Sequence, residues 1–250
     1  MKKLISIVLC VVLALGVLAG CGEAPATTDA AEKLVMATNA AFPPYEFYEG
    51  EKIVGIDAEI AAAIAEKLGM ELEIQDTEFG SIITGVQTGK YDIGMAGMTV
   101  TEERMQTVNF SETYATGIQS VIVKADSDIK SIEDITGKKI GVQQDTTGHI
   151  YSADEYGDEF VTPYNKGADA VSALISGKVD CVIIDNEPAK SFVAANEGLV
   201  ILDTEYAVED YAICIAKENT ELLEKVNGAL AELIADGTVK AIVDKYIAAE

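Results

Sequence analysis

From Lys33 onward the chain alternates short apolar runs with amphipathic stretches, and this alternation narrows the possible folds more than any other feature. LVMAT (34–38) reads as a strand, and IDAEIAAAIAEKLG (56–69) as a helix with an apolar stripe and Gly69 at its C-cap. ELEIQD (71–76) reads as a strand, SIITGVQTG (81–89) as a helix and YDIGMAGM (91–98) as a strand. The rhythm then repeats through ITGKKIGVQQ, DTTGHIYSADEYG, FVTPYN, ADAVSALISGK and VDCVIID. Such a pattern predicts mostly parallel sheets under helices. TGKYDIGMAG (88–97) and SGKVDCVIID (176–185) echo each other: a helix end, a glycine C-cap, a lysine, an aspartate and a buried strand. Two similar Rossmann-like α/β lobes follow from that echo.

After about Tyr211 the chain offers one strand (YAICIAK), one long amphipathic helix (ELLEKVNGALAELIADG) and a short terminal helix. That is too little to bury a core alone, so it must dock on a lobe already made. The expected division is lobe 1 from residues 33–113 and 212–250, and lobe 2 from 114–211. The two crossings, near Thr113–Ile118 and Val208–Ala212, form a two-strand hinge below a cleft.

The formal net charge of −24, with acids scattered along all 250 residues, keeps the chain soluble and makes nucleic acid and anionic lipid poor partners. The N-terminus is read as a signal peptide (1–20): Lys2 and Lys3 precede an apolar run, Leu4 to Leu18. The following LAGC, Leu18 to Cys21, resembles the bacterial lipobox, which implies cleavage before Cys21 and a lipid on its sulfur. Residues 21–32, small and polar, then read as a tether. The body is exported and held at the outer face of the cell membrane. Cys181 and Cys214 sit in apolar strand-like runs and are expected to be buried free thiols. With one histidine, His149, and no Cys/His cluster at ligand spacing, no metal site and no cofactor are expected.

Arg104, in GMTVTEER (97–104), falls in the first turn of a helix capped by Thr101, where a cation opposes the helix dipole. Either Glu102 and Glu103 offset a solvated charge, or something negative binds there. In open parallel sheets ligands lie beyond the carboxyl ends of strands. That rule selects the loops 38–47, 97–104, 143–149 and 185–190. Arg104 offers a planar fork for a carboxylate, Thr99 a hydroxyl and Gly97 an approachable backbone. Thr146 and Thr147 open a helix whose free N–H groups favour an anion, although they also suit as plain caps. Asp185 ends an apolar strand, where a desolvated carboxylate would welcome an ammonium group; it also reads as a simple strand-end acid. Phe42 and Phe79 are either core aromatics or the walls of an aliphatic stem. Together the loops complement a zwitterionic amino acid.

FPPYEF, GIDAEIAAAIAEKLG, TGKYDIGMAGMTVTEER, VNFSETY, GVQQDTTG and VNGALAELIADGT resemble the polar-amino-acid family of extracellular solute-binding proteins that feed ABC importers. The resemblance runs from about Leu34 to Tyr246 and implies the periplasmic binding protein-like II fold. It implies that Arg104 clamps the ligand carboxylate and Asp185 the α-ammonium. Phe42 and Phe79 would stack on the ligand, with Gln143, Thr146 and Thr147 supplying the second-lobe loop. Where members often carry an acid that reads the ligand side chain, this chain has Asn39, which suits an amide and removes one attraction for arginine or lysine. Asp145 replaces the family's usual glycine and could restore a negative charge nearby. The implied ligand is a free polar L-amino acid, glutamine-like or else cystine, arginine or histidine, and the implied partner of this monomer is an ABC permease. The rivals are a dehydratase-like enzyme on the same scaffold, with Glu187 and His149 as its available acid and base, and a sensory protein.

Overall fold

The structure, a computed structural model, describes residues 32–203 and 206–247. The expected signal peptide, Cys21 and nearly all of the tether lie outside the described residues. The chain begins with β1 (Lys33–Thr38), then β2 (Ala41–Phe42), β3 (Glu46–Glu49), β4 (Lys52–Val54), α1 (Ile56–Leu68) and β5 (Glu71–Asp76). It continues with α2 (Ile82–Gln87), β6 (Ile93–Gly94), α3 (Glu102–Thr107), β7 (Val108–Phe110) and β8 (Ala115–Lys124). Next come β9 (Ile140–Gln143), α4 (Thr147–Tyr156), β10 (Val161–Tyr164), α5 (Gly167–Ile175), β11 (Cys181–Asp185) and α6 (Asn186–Ala195). The last elements are β12 (Leu199–Ile201), β13 (Ala207–Tyr211), β14 (Cys214–Ala216), α7 (Thr220–Ala235) and α8 (Thr238–Tyr246).

Two principal sheets result. The first runs β5-β1-β6-β14-β7 and the second β10-β9-β11-β8-β12, with β13 also paired to β8. Strands joined through helices are parallel: β1 with β5 and β6, and β9 with β10 and β11. Antiparallel pairs arise elsewhere. Strand β14 returns into the first sheet between β6 and β7, and β8 receives β11, β12 and β13. The sheets are therefore more mixed than the βαβ rhythm alone predicts, because a strand arriving from the other sheet is free of the right-handed crossover that enforces parallel pairing.

Local chemistry sets these elements. Gly69 ends α1 at φ 68°, its N–H bonding the carbonyls of Ala65 and Glu66, while Asp57 and Glu59 occupy the helix's positive end. Ile56, Ile60 and Ile64 face inward from α1 and pack in one core with Leu34, Met36, Ile215, Val226 and Leu230. Every residue of β11 is buried, as expected of a central strand covered on both faces. Cys181 and Cys214 are buried free thiols, and burial pushes both up to about 12.

Three segments depart from the sequence reading. YDIGMAGM holds strand geometry only at Ile93–Gly94, because the chain turns at Gly97 (φ 53°), whose N–H bonds Asp57 Oδ2 at 2.8 Å. The expected strand YAICIAK is divided: Tyr211 ends β13 in the second sheet, and Cys214 begins β14 in the first. The loop 38–47 contributes β2 and the start of β3 to a small antiparallel sheet, β2-β3-β4, that the sequence reading leaves as loop.

The docking of α7 gives a direct test. Leu230 is fully buried in the first core, whereas Ile234 of the same helix is largely exposed. Leu230→Ala should cost about 2–5 kcal/mol in urea unfolding, and Ile234→Ala should stay within about 0.5 kcal/mol of wild type.

Candidate functional site

The carboxyl ends of β1, β9 and β11, with the segment before α3, converge on one narrow cavity. All ten candidate residues line it: Asn39, Phe42, Phe79, Gly97, Thr99, Arg104, Gln143, Thr146, Thr147 and Asp185. Their convergence is set by topology, since the parallel strands of each sheet end on the same side and the two sheets face each other there. The lining also includes Glu46, Ala96, Gln119, Ile184 and Tyr211, which the sequence reading missed. Gln119 and Tyr211 belong to β8 and β13, the paired crossing strands, and the loop rule looks only at strand ends. Glu46 enters because FPPYEF folds back as a hairpin.

Arg104 does not point into solvent. Thr101 caps α3, its hydroxyl accepting the Arg104 N–H at 3.2 Å, and the Arg104 side chain is 8% exposed. Nη1 donates to the Thr99 carbonyl at 2.8 Å and Nη2 to the Asp145 carbonyl at 3.1 Å. The guanidinium carbon lies 5.4 Å from the centre of the Phe79 ring, a cation–π distance. Burial lowers the Arg104 pKa, and the negative charge of Glu209 opposes that shift. Two of its five N–H groups have carbonyl partners, so the fork keeps donors for an anion.

Asp185 is the opposite charge. It caps α6 through Oδ1, which accepts the Glu187 N–H at 3.1 Å. Oδ2 accepts the Tyr211 hydroxyl at 2.6 Å and the Ile118 N–H at 3.1 Å. Burial pushes this carboxyl up to about 7, although the three donors pull it down. The position is tightly enclosed: a Cβ on Gly117 would come within 2.3 Å of the Tyr211 hydroxyl and 2.7 Å of Asp185 Oδ2.

Other candidates are already engaged. The Gly97 N–H is committed to Asp57, so the expected open backbone donor is absent there, and its bare Cα instead lets the Phe42 ring approach. Thr99 donates to Glu209 Oε2 at 3.2 Å and lies 3.5 Å from the Thr147 hydroxyl. Thr146 caps α4, accepting the His149 N–H at 3.3 Å and donating to the Gln143 carbonyl at 2.8 Å. Gln143 donates to Asn39 Oδ1 at 3.0 Å, and Asn39 donates to the Thr77 carbonyl at 2.7 Å. Phe42 packs against cores of both principal sheets. His149 and Glu187 are outside the cavity lining: the imidazole Nδ1 accepts the Asp145 N–H, and Glu187 pairs with Lys190 at 2.9 Å. Among the described residues, no group of three or more His, Cys, Asp or Glu side chains is placed to hold a metal ion.

The model of the bacterial extracellular solute-binding proteins, family 3, matches residues 34–249. The arginine-binding extracellular protein ArtP of Bacillus subtilis is 35% identical over 260 residues, covering 100% of both chains. A solved structure of an ancestral arginine-binding protein bound to glutamine is 40% identical, with a TM-score of 0.83 over 87% of this chain and 98% of that one. The arginine-, lysine-, histidine-binding protein ArtJ of Geobacillus stearothermophilus is 32% identical, with a TM-score of 0.83 over 88% of this chain and 96% of that one. The chain belongs to the bacterial extracellular solute-binding proteins, family 3.

Proposed function

We propose that this protein is the lipid-anchored receptor of an ABC importer for a polar L-α-amino acid. The observation that carries the reading is the pair of buried, opposite charges, Arg104 and Asp185, lining one cavity while their hydrogen bonds go to neutral groups. A carboxylate meets Arg104 and the N-terminus of α4, and an α-ammonium meets Asp185. Phe42 and Phe79 flank the side chain. Relatives that bind arginine, and an ancestral relative bound to glutamine, support the substrate class. The family is one of binding proteins, so the chain is not an enzyme.

Residues 33–113 and 212–250 form one lobe and 114–211 the other, with β8 and β13 as the hinge. Their pairing from Ala115↔Tyr211 to Ala207↔Gln119 supports that division. A ligand touching both lobes favours the closed state by the difference in its contacts. Anchoring is through Cys21, on the strength of LAGC in the sequence. No helix among the described residues is long and apolar enough to cross a membrane. The monomeric body works in water and hands its ligand to the permease.

Arg104→Ala strands a buried carboxylate and should cost about 2–5 kcal/mol of affinity. Unchanged affinity in calorimetry would remove Arg104 from the site. Asp185→Asn should weaken amino acids far more than their desamino analogues, and equal losses would reject its ammonium role. The pH dependence has a definite sign. Asp185 keeps its proton below about pH 7 until an ammonium group displaces it. Affinity should therefore fall about tenfold per pH unit below 7, with a proton released on binding. Between its ordinary 3.8 and about 7 the native carboxyl is protonated while the unfolded one is ionised. Stability without ligand should accordingly decrease as pH rises through that window, measured by thermal melting.

A further inference from the structure

We propose that the Asn39–Gln143 amide pair makes this site selective for an uncharged, amide-bearing side chain, glutamine being the type ligand, over a cationic or anionic one. The inference rests on the amino-acid-receptor reading and narrows it to a substrate class.

The orientation of the pair is fixed by its neighbours. The Thr77 carbonyl can only accept, so Asn39 turns Nδ2 toward it at 2.7 Å and presents Oδ1 to Gln143 Nε2 at 3.0 Å. Both side chains are buried, at 3% and 4% exposure, and both line the cavity. A primary amide has two N–H donors and a carbonyl with two lone pairs. After these bonds Asn39 retains one N–H and one lone pair, and Gln143 retains one N–H and its carbonyl oxygen. The pair therefore presents donors and acceptors together, the complement of another primary amide. A guanidinium or ammonium offers donors alone, and a carboxylate acceptors alone.

Charge in the cavity decides further. Its lining contains three ionisable side chains of the acid and arginine types: Arg104, Asp185 and Glu46. The first two are matched to the α-carboxylate and α-ammonium. Glu46 is 1% exposed, and its Oε2 meets no donor, like Oδ1 of the neighbouring Asp57. Burial first, then the negative charge of Asp57, raises the Glu46 carboxyl well above its ordinary range, which disfavours a charge on Glu46 beside Asp57. Glu209 is buried behind the lining, where Oε2 accepts from Thr99 and Gln119 and its charge faces Arg104. Among the described lining residues Glu46 is then a poor partner for a cationic side chain, and no second cation meets an anionic one. A buried charge without a partner is costly, while an amide needs only hydrogen bonds. Asp76 and Asp145 are outside the lining. Asp76 accepts the Ala40 N–H and the Tyr48 hydroxyl, and the Asp145 carboxylate lies over Gly80 and accepts from Gln144.

The test is a calorimetric panel on purified protein, unfolded and refolded to strip carried-over ligand, with glutamine, arginine, lysine, glutamate and cystine. Glutamine should bind at least about a hundredfold tighter than each of the others. Arginine, lysine, glutamate or cystine binding as tightly as glutamine would overturn the inference and leave the amino-acid receptor standing. Failure of folded protein to bind any of the twenty amino acids or cystine would overturn the receptor reading itself. Asn39→Asp supplies a second measurement: the glutamine-to-arginine affinity ratio should fall at least about tenfold. An unchanged ratio in the folded variant would remove Asn39 from selectivity, and the wild-type panel decides the matter if the variant does not fold.

Discussion

Burial of Asp185 at the end of the apolar strand β11 is the constraint around which the site is arranged. A carboxylate there loses its hydration, and the fold answers with a hydroxyl from Tyr211 and backbone N–H groups from Ile118 and Glu187. Tyr211 and Ile118 lie on β13 and β8, so two of these bonds tie the strand end to the paired strands that lead between the sheets. The donors only partly offset the burial, and Asp185 is left with an affinity for positive charge. Arg104 repeats the logic with the opposite sign, held by two carbonyls against Phe79. Arg104 and Asp185 thus line one cavity as two separated groups of opposite type, the arrangement on which the proposed zwitterionic ligand rests.

Much of this was legible in the sequence, for identifiable reasons. Apolar periodicity located the strands and helices because burial of one face is what stabilises them. Nine of the ten cavity candidates lie in the loops that the strand-end rule selects, because parallel strands in one sheet all end on the same side, whereas Phe79 lies outside those loops. Other features depended on contacts between distant segments. The division of YAICIAK between two sheets is invisible locally, since Tyr211 and Cys214 are apolar neighbours with equal strand preference. The commitment of the Gly97 N–H required Asp57, forty residues away on α1, to be buried beside it. Gln119 and Glu46 were missed because one lies within a long strand and the other in a hairpin that the loop sequence did not announce.

The buried acids show how one environment produces different behaviour. Asp57 accepts the Gly97 N–H and the Tyr114 hydroxyl, which restrain its rise to about 6. Glu46, beside it, lacks such donors and is raised further. The number of donors, more than depth of burial, separates the smaller rise of Asp57 from the larger rise of Glu46.

Several bonds across the cleft join protein to protein: the Arg104 fork to the Asp145 carbonyl, and Gln143 to Asn39. In the proposed hinge opening these bonds part before the solute leaves. In the proposed receptor, residence time is then governed partly by the protein's own contacts, and substitutions there would change how long a captured solute waits for a permease. On the proposed selectivity, retention and recognition share the side chains of Asn39 and Gln143, so evolution of a new specificity there would retune the delivery rate at the same time.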